Sequence, residues 1–216
     1  MENLIAWILM AAISLPNWFG ATLPSFARDY LFRSISWYER GHYPEALSDV
    51  DKSLELAPNE VTALHHRGNV LFALNRFSDA AVNYEHALYA IPGDAGLWNN
   101  YGASLRELGR TNEALQAFRR STECHPPARN AFLQIAFLQI QSGHLDDAEA
   151  ALNKLEQLKS SGGQDAAILA LRSVLARKRG DPAAADTLEH QARTLDAETA
   201  AWAIEQTQPT GSKDKK

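Results

Sequence analysis

The chain has little of what usually betrays an active site or a disulfide-bonded scaffold. Its 216 residues hold one cysteine, Cys124, so no intramolecular disulfide can form, which mildly favours a reducing compartment. Glycine and proline are scarce, at 12 and 9 residues, as helices prefer. Lysine plus arginine number 21 against 26 aspartate plus glutamate, a net charge of -5. That balance offers no basic footprint for nucleic acid, and the only lysine cluster is Lys213, Lys215 and Lys216 in the tail. There is no glycine-rich phosphate loop, no nucleophile elbow and no His-Glu-x-x-His helix. His65 and His66 are adjacent, so on a helix they project about 100° apart and do not readily share a metal. Cys124-His125 lacks further ligands at metal spacing. The expectation is a protein that is not an enzyme, with no catalytic residue, metal or cofactor.

What is present is a beat. Pro24, Pro58, Pro92 and Pro126 stand 34 residues apart, and Ala12, Ala46, Ala80, Ala114 and Ala148 keep the same interval. A fixed period of that length marks a chain built by stacking one small unit on the next. Units beginning at Ala27, Val61, Ala95 and Arg129 each hold two apolar-periodic stretches split by a short turn. In the first, Tyr30, Ser34 and Trp37 line one helix face, Gly41 breaks the helix, and Ala46, Val50 and Leu54 line the next. Pro58 closes the unit, because proline resists helix continuation. The predicted units span 27–60, 61–94, 95–128 and 129–162, and the polar stretch Lys159-Ser-Ser-Gly-Gly-Gln-Asp165 interrupts the beat. A divergent fifth unit is predicted over 166–195, with Asp181 and Pro182 starting its second helix. A capping helix follows over 196–206, with Asp196 as N-cap and Trp202 on its inner face, and then a disordered tail over 207–216.

The third unit reads Trp98-x-x-Tyr101-Gly102-x-x-Leu105 and then Ala114-x-x-x-Phe118, which resembles the tetratricopeptide repeat (TPR) pattern. The resemblance covers residues 27 to 205 and implies an all-α fold, a right-handed α-solenoid of antiparallel helix pairs. It also implies a concave groove lined by the first helix of each unit, where a protein or peptide partner binds. Carried onto this sequence, that assigns partner contact to His65, His66, Asn69 and Phe72 in unit two, and to Asn99, Asn100 and Arg106 in unit three. Unit four contributes Leu133, Phe137 and Ile140. The amides Asn69, Asn99 and Asn100 resemble those that hold the backbone of an extended peptide in related grooves, since an amide both donates and accepts. The lysines of a carboxylate clamp for acidic C-terminal tails are missing.

Two features stand outside the beat. The run Ala131 to Ile140 is apolar on nearly every face, and a helix of that kind is normally buried all round. Leu133, Phe137 and Ile140 are therefore expected to form an apolar contact surface unless a fifth unit folds over them. Leu4 to Leu23 carries no charge, and its twenty residues would span about 30 Å as a helix. One reading is a membrane segment, with Leu4, Trp7, Leu15, Trp18 and Leu23 in or beside the bilayer. No lysine or arginine precedes it and Arg28 follows, which would face the repeats to the cytoplasm. A cleaved signal ending near Ala27 and an N-terminal cap on the first repeat are the alternatives, the latter in a soluble cytoplasmic protein. Residues 1–26 thus form an apolar N-terminal segment, anchor or cap. The function expected is a non-enzymatic interaction scaffold at a membrane, or alternatively an assembly subunit permanently buried in a larger complex. Oligomeric state is not legible.

Overall fold

A computed structural model describes residues 25–158 and 165–208. Every regular element among these residues is an α-helix, eleven in all, and the fold class is an all-α helical-repeat solenoid. The helices gather into two compact units, one ending at Leu74 and the next beginning at Asn75. The uncharged run with Leu4, Trp7, Leu15, Trp18 and Leu23 lies outside the described residues, as do residues 159–164 and 209–216. Among the described residues no helix is long and apolar enough to cross a membrane.

The first unit holds α1 (Ser25–Glu39), α2 (Tyr43–Leu56) and α3 (Val61–Ala73). Its core is small, built on Leu31, Val50 and Ala63 with Ile35, Leu47 and Leu54 packed against them. Two fully buried serines let the helices approach and satisfy their own hydroxyls. Ser34 Oγ donates to the Ala46 carbonyl at 2.6 Å, and Ser53 Oγ donates to the Ala27 carbonyl at 2.8 Å. Arg33 on α1 grips the buried Asp49 carboxylate on α2 through bonds of 2.5 and 2.6 Å. Those bonds hold the Asp49 carboxyl below its usual range despite its burial. On α3, His66 is 8% exposed and its Nε2 lies 2.9 Å from Ser34 Oγ. The single Ser34 proton is committed to Ala46, so Nε2 must carry the proton of that contact and donate to Ser34.

The α1–α2 turn shows how each helix pair closes. Gly41 has φ +78°, its amide donates to the Tyr38 carbonyl, and the His42 amide donates to the Trp37 carbonyl at 2.9 Å. This is a Schellman closure, which needs a residue in the left-handed region. Gly109, Gly143 and Gly180 repeat the positive φ, as does Asn75 at φ 59°, asparagine being the side chain that best tolerates it.

The second unit holds α4 (Phe77–Ala90), α5 (Ala95–Glu107), α6 (Thr111–Glu123), α7 (Arg129–Gln141), α8 (Leu145–Gln157), α9 (Ala166–Lys178), α10 (Pro182–Leu195) and α11 (Ala197–Gln206). Helices α5 and α6, α7 and α8, and α9 and α10 form successive hairpins. Asp94, Asp165, Asp181 and Asp196 cap α5, α9, α10 and α11 by accepting from backbone amides in the first turn. The α5–α6 contact is set by Gly102, because a Cβ there would stand 2.8 Å from the ring of the fully buried Phe118. Ser121 Oγ donates to the Ala95 carbonyl at 2.6 Å, the same bond, two repeat lengths on, as that between Ser53 and Ala27. Helix α9 is tied to α8 by charge as well as packing. Arg172 reaches Glu149 at 3.1 Å, Asn153 at 2.6 Å and Glu156 at 3.0 Å. Helix α11 packs on α9 and α10.

Replacing Gly102 with valine should destabilise the chain by about 1–3 kcal/mol through overpacking against Phe118. Gly93→Ala, where an added Cβ meets nothing within 4 Å, should stay within about 0.5 kcal/mol of wild type in the same urea titration. Equal midpoints for the two variants would show that the α5–α6 contact has slack.

Burial pushes the His66 imidazole below the usual histidine range, and the bond to Ser34 opposes this only in part. The folded chain keeps His66 neutral where the unfolded chain takes up a proton, near pH ~6.5. Its contribution to stability is therefore complete above about pH 6.5 and is lost as pH falls through the lowered folded value. Between about pH 7.5 and pH 5 the wild-type denaturation midpoint should fall more steeply than that of His66→Gln. Parallel profiles would mean that His66 titrates like a solvated histidine.

Candidate partner-binding faces

Of the four residues singled out on α3, His66 is corrected by the structure. Its ring is buried against Ser34, with Tyr38 packed edge-on at 5.6 Å between centroids, so it belongs to the core of the first unit rather than to a contact surface. The edge contact is favourable because a ring's positive rim meets the other's negative face. His65, Asn69 and Phe72 are half-buried, and each is already engaged within the chain. Tyr38 also contacts Tyr43, with ring centroids 5.5 Å apart.

In the second unit, Asn99 and Asn100 sit side by side on α5, both half-buried. The Asn99 Nδ2 donates to Asn100 Oδ1 at 3.3 Å, while Asn99 Oδ1 is buried with no hydrogen-bond partner. An acceptor left in that state carries its desolvation cost uncompensated, at roughly 1–3 kcal/mol. Two turns along, Arg106 shares the Asn99 stripe, since i and i+7 lie on one helix face. Arg106 is held at 2.6 Å by Glu107, and it also donates to the side-chain amide oxygen Oε1 of Gln134 on α7. That last bond carries the face from α5 to α7.

On α7 the expectation of an open apolar surface fails at two of its three residues. Ile140 is fully buried and Phe137 is 1% exposed, while Leu133 is half-buried. Trp202 of α11 forms part of the cover on Phe137, meeting it edge-on with centroids 5.5 Å apart and planes at 82°. Gln141 Nε2 adds hydrogen bonds to the carbonyls of Gln206 at 2.8 Å and Gln208 at 3.1 Å. Trp202 itself remains 44% exposed. The sequence reading missed this docking and the Arg106–Gln134 bond. The available signal was α7 itself, since a helix apolar on every face calls for a further layer.

Among the described residues no three His, Cys, Asp or Glu side chains group closely enough to hold a metal ion. Burial pushes the Cys124 thiol up, and its Sγ is turned to the Arg120 carbonyl at 3.3 Å. A thiol shifted that way is a poor nucleophile, because the thiolate is the reactive form.

Comparison with known proteins agrees with the helix-pair architecture. The chain is 23% identical over 154 residues to Hsp70-Hsp90 organizing protein 2 of Arabidopsis thaliana, a match covering 64% of this chain and 27% of that protein. It is 27% identical over 159 residues to the peroxisomal targeting signal receptor of Eremothecium gossypii, covering 68% of this chain and 26% of the receptor. The chain spans between 12% and 27% of the length of the curated relatives it matches. Among solved structures, YrrB, described as a TPR protein with an unusual peptide-binding site, superposes with a TM-score of 0.62 at 22% identity. That superposition covers 82% of this chain and 90% of YrrB. The tetratricopeptide repeat family model matches residues 33–95 and again residues 67–129, so its second window begins one 34-residue repeat after the first. Residues 33–129 thus belong to the tetratricopeptide repeat family.

Proposed function

We propose that this chain is a non-enzymatic protein–protein interaction scaffold that holds a partner segment against the first-helix face of its repeats. The observation that carries the reading is Asn99 Oδ1, a buried acceptor with no donor, next to a second amide on the same helix. Rotating the half-buried Asn99 amide outward would bring that oxygen within reach of a backbone N–H of an extended peptide, whatever the peptide's side chains. Arg106, two turns on, adds a charge at the end of the stripe. The relatives favour the same class of role: one is named as an organizing protein for two chaperones, another as a receptor for a targeting signal, and YrrB is described as having a peptide-binding site.

Asn99→Ala separates binding from folding. It deletes an unsatisfied acceptor, so stability should hold or rise, whereas a partner that used the amide should bind more weakly by about 1 kcal/mol, roughly fivefold. A photo-crosslinker at position 100 should label that partner, and one at Tyr89, which is 94% exposed on α4, should not. Labelling from Tyr89 alone would move the binding surface off the first helices.

For residues 1–26 the uncharged run Leu4 to Leu23 supports association with a membrane, repeats on the cytoplasmic side. Deleting residues 1–26 should then transfer the chain from the membrane to the soluble fraction as a monodisperse species. Aggregation of the truncated chain would favour the assembly-subunit reading instead.

A further inference from the structure

The α7 face is already occupied, and its occupant shows what it recognises. Helix α11 presents an aromatic side chain, Trp202, edge-on to Phe137, and four and six residues later the carbonyls of Gln206 and Gln208 accept from Gln141 Nε2. Those carbonyls lie at the end of a helix, where no intrahelical amide remains to satisfy them. The two contacts together read a short helix that has an aromatic residue near its middle and a free C-terminal end. The seat is loose, however. Within α11 only Ala200 and Ala203 are fully buried, Trp202 is nearly half exposed, and Leu195, just before it, is half exposed too. A helix of ten residues has little stability of its own. Terminal elements with so few buried contacts open at free energies far below that of global unfolding. Beside it a cleft of about 250 Å³ runs from Phe137 and Gln141 past Glu205 to Arg106, joining this seat to the stripe on α5.

We propose that the α7 face is a docking site for a short amphipathic helix with an aromatic anchor, and that α11 occupies it in cis as a competitor. The proposal rests on the reading of the first-helix faces as partner surfaces, and it extends that reading by naming the ligand class and the internal gate. Opening α11 uncovers Phe137 and the Gln141 amide at once. A partner helix of matching pattern replaces both contacts, so release and binding are coupled through shared atoms.

The probe is a labelled synthetic peptide copying residues 196–208, titrated by fluorescence anisotropy against the full chain and against full-length W202A. W202A weakens the cis competitor and should bind the peptide at least about tenfold more tightly than wild type, as removal of a competing closed state requires. A peptide lacking its own tryptophan should not bind W202A. No binding to W202A, or equal binding to both chains, overturns the proposal. Hydrogen exchange on the wild-type chain provides a second readout that needs no variant: α11 amides should exchange well ahead of those of α9, and matched protection would make α11 a permanent cap. Dimers that exchange α11 between copies, detected by light scattering, would overturn the assignment in cis. Neither arm uses a natural partner, so failure here leaves the Asn99→Ala capture result to judge the scaffold reading independently.

Discussion

The hairpins α1–α2, α5–α6, α7–α8 and α9–α10 each close around one residue in the left-handed region, and the contacts between their helices depend on that reversal. Gly41, Gly109, Gly143 and Gly180 take this conformation at those four turns. At Gly109 the following amide, that of Arg110, closes back on the Leu105 carbonyl at 2.9 Å, and the same bond recurs from His144 to Gln139. A reversal this short restricts how the second helix can meet the first. Small residues then recur where the backbones approach, and Gly102 under the Phe118 ring is the tightest of them. The buried serines follow the same logic. Ser53 and Ser121 each spend their hydroxyl on the carbonyl of a residue in the preceding helix's first turn.

Because repetition settles the packing, departures from it mark where this chain is particular. Asn99 breaks the rule that buried polar atoms find partners, whereas the other buried hydroxyls and carboxylates among the described residues have them. Helix α7 breaks the rule that a surface helix is apolar on one side only. The first departure leaves an acceptor with no donor. The second is answered from within, by a terminal helix that covers the face without sealing it. Polar supply and apolar cover thus lie on adjacent helices, α5 and α7, linked by the Arg106–Gln134 bond.

Much of this was legible before any coordinates. The alanine beat placed Ala46, Ala80, Ala114 and Ala148 at contacts where they are fully buried. Asp181 and Asp196 announced helix starts that the structure caps with their carboxylates. Other features were not legible, and His66 shows why. Its neighbour His65 has the same composition and nearly the same position, yet only His66 falls within reach of Ser34, 32 residues earlier. Which of two adjacent side chains is core and which is surface depends on the rotation of one helix against another, and a pattern of residue types does not specify that angle to within one residue.

The sequence by itself determined the repeating unit, its helix pairing, its turns and its capping residues, because each of these depends on contacts within one period or between neighbours in it. Tertiary structure alone decided what becomes of the surplus apolar face of α7. The Gln141 bond to Gln206 joins residues 65 apart, almost two periods, and a periodic pattern specifies nothing about contacts that skip a unit. It was likewise only in three dimensions that Asn99 Oδ1 lost both its water and any partner, since burial is a property of the assembled helices and not of the residue.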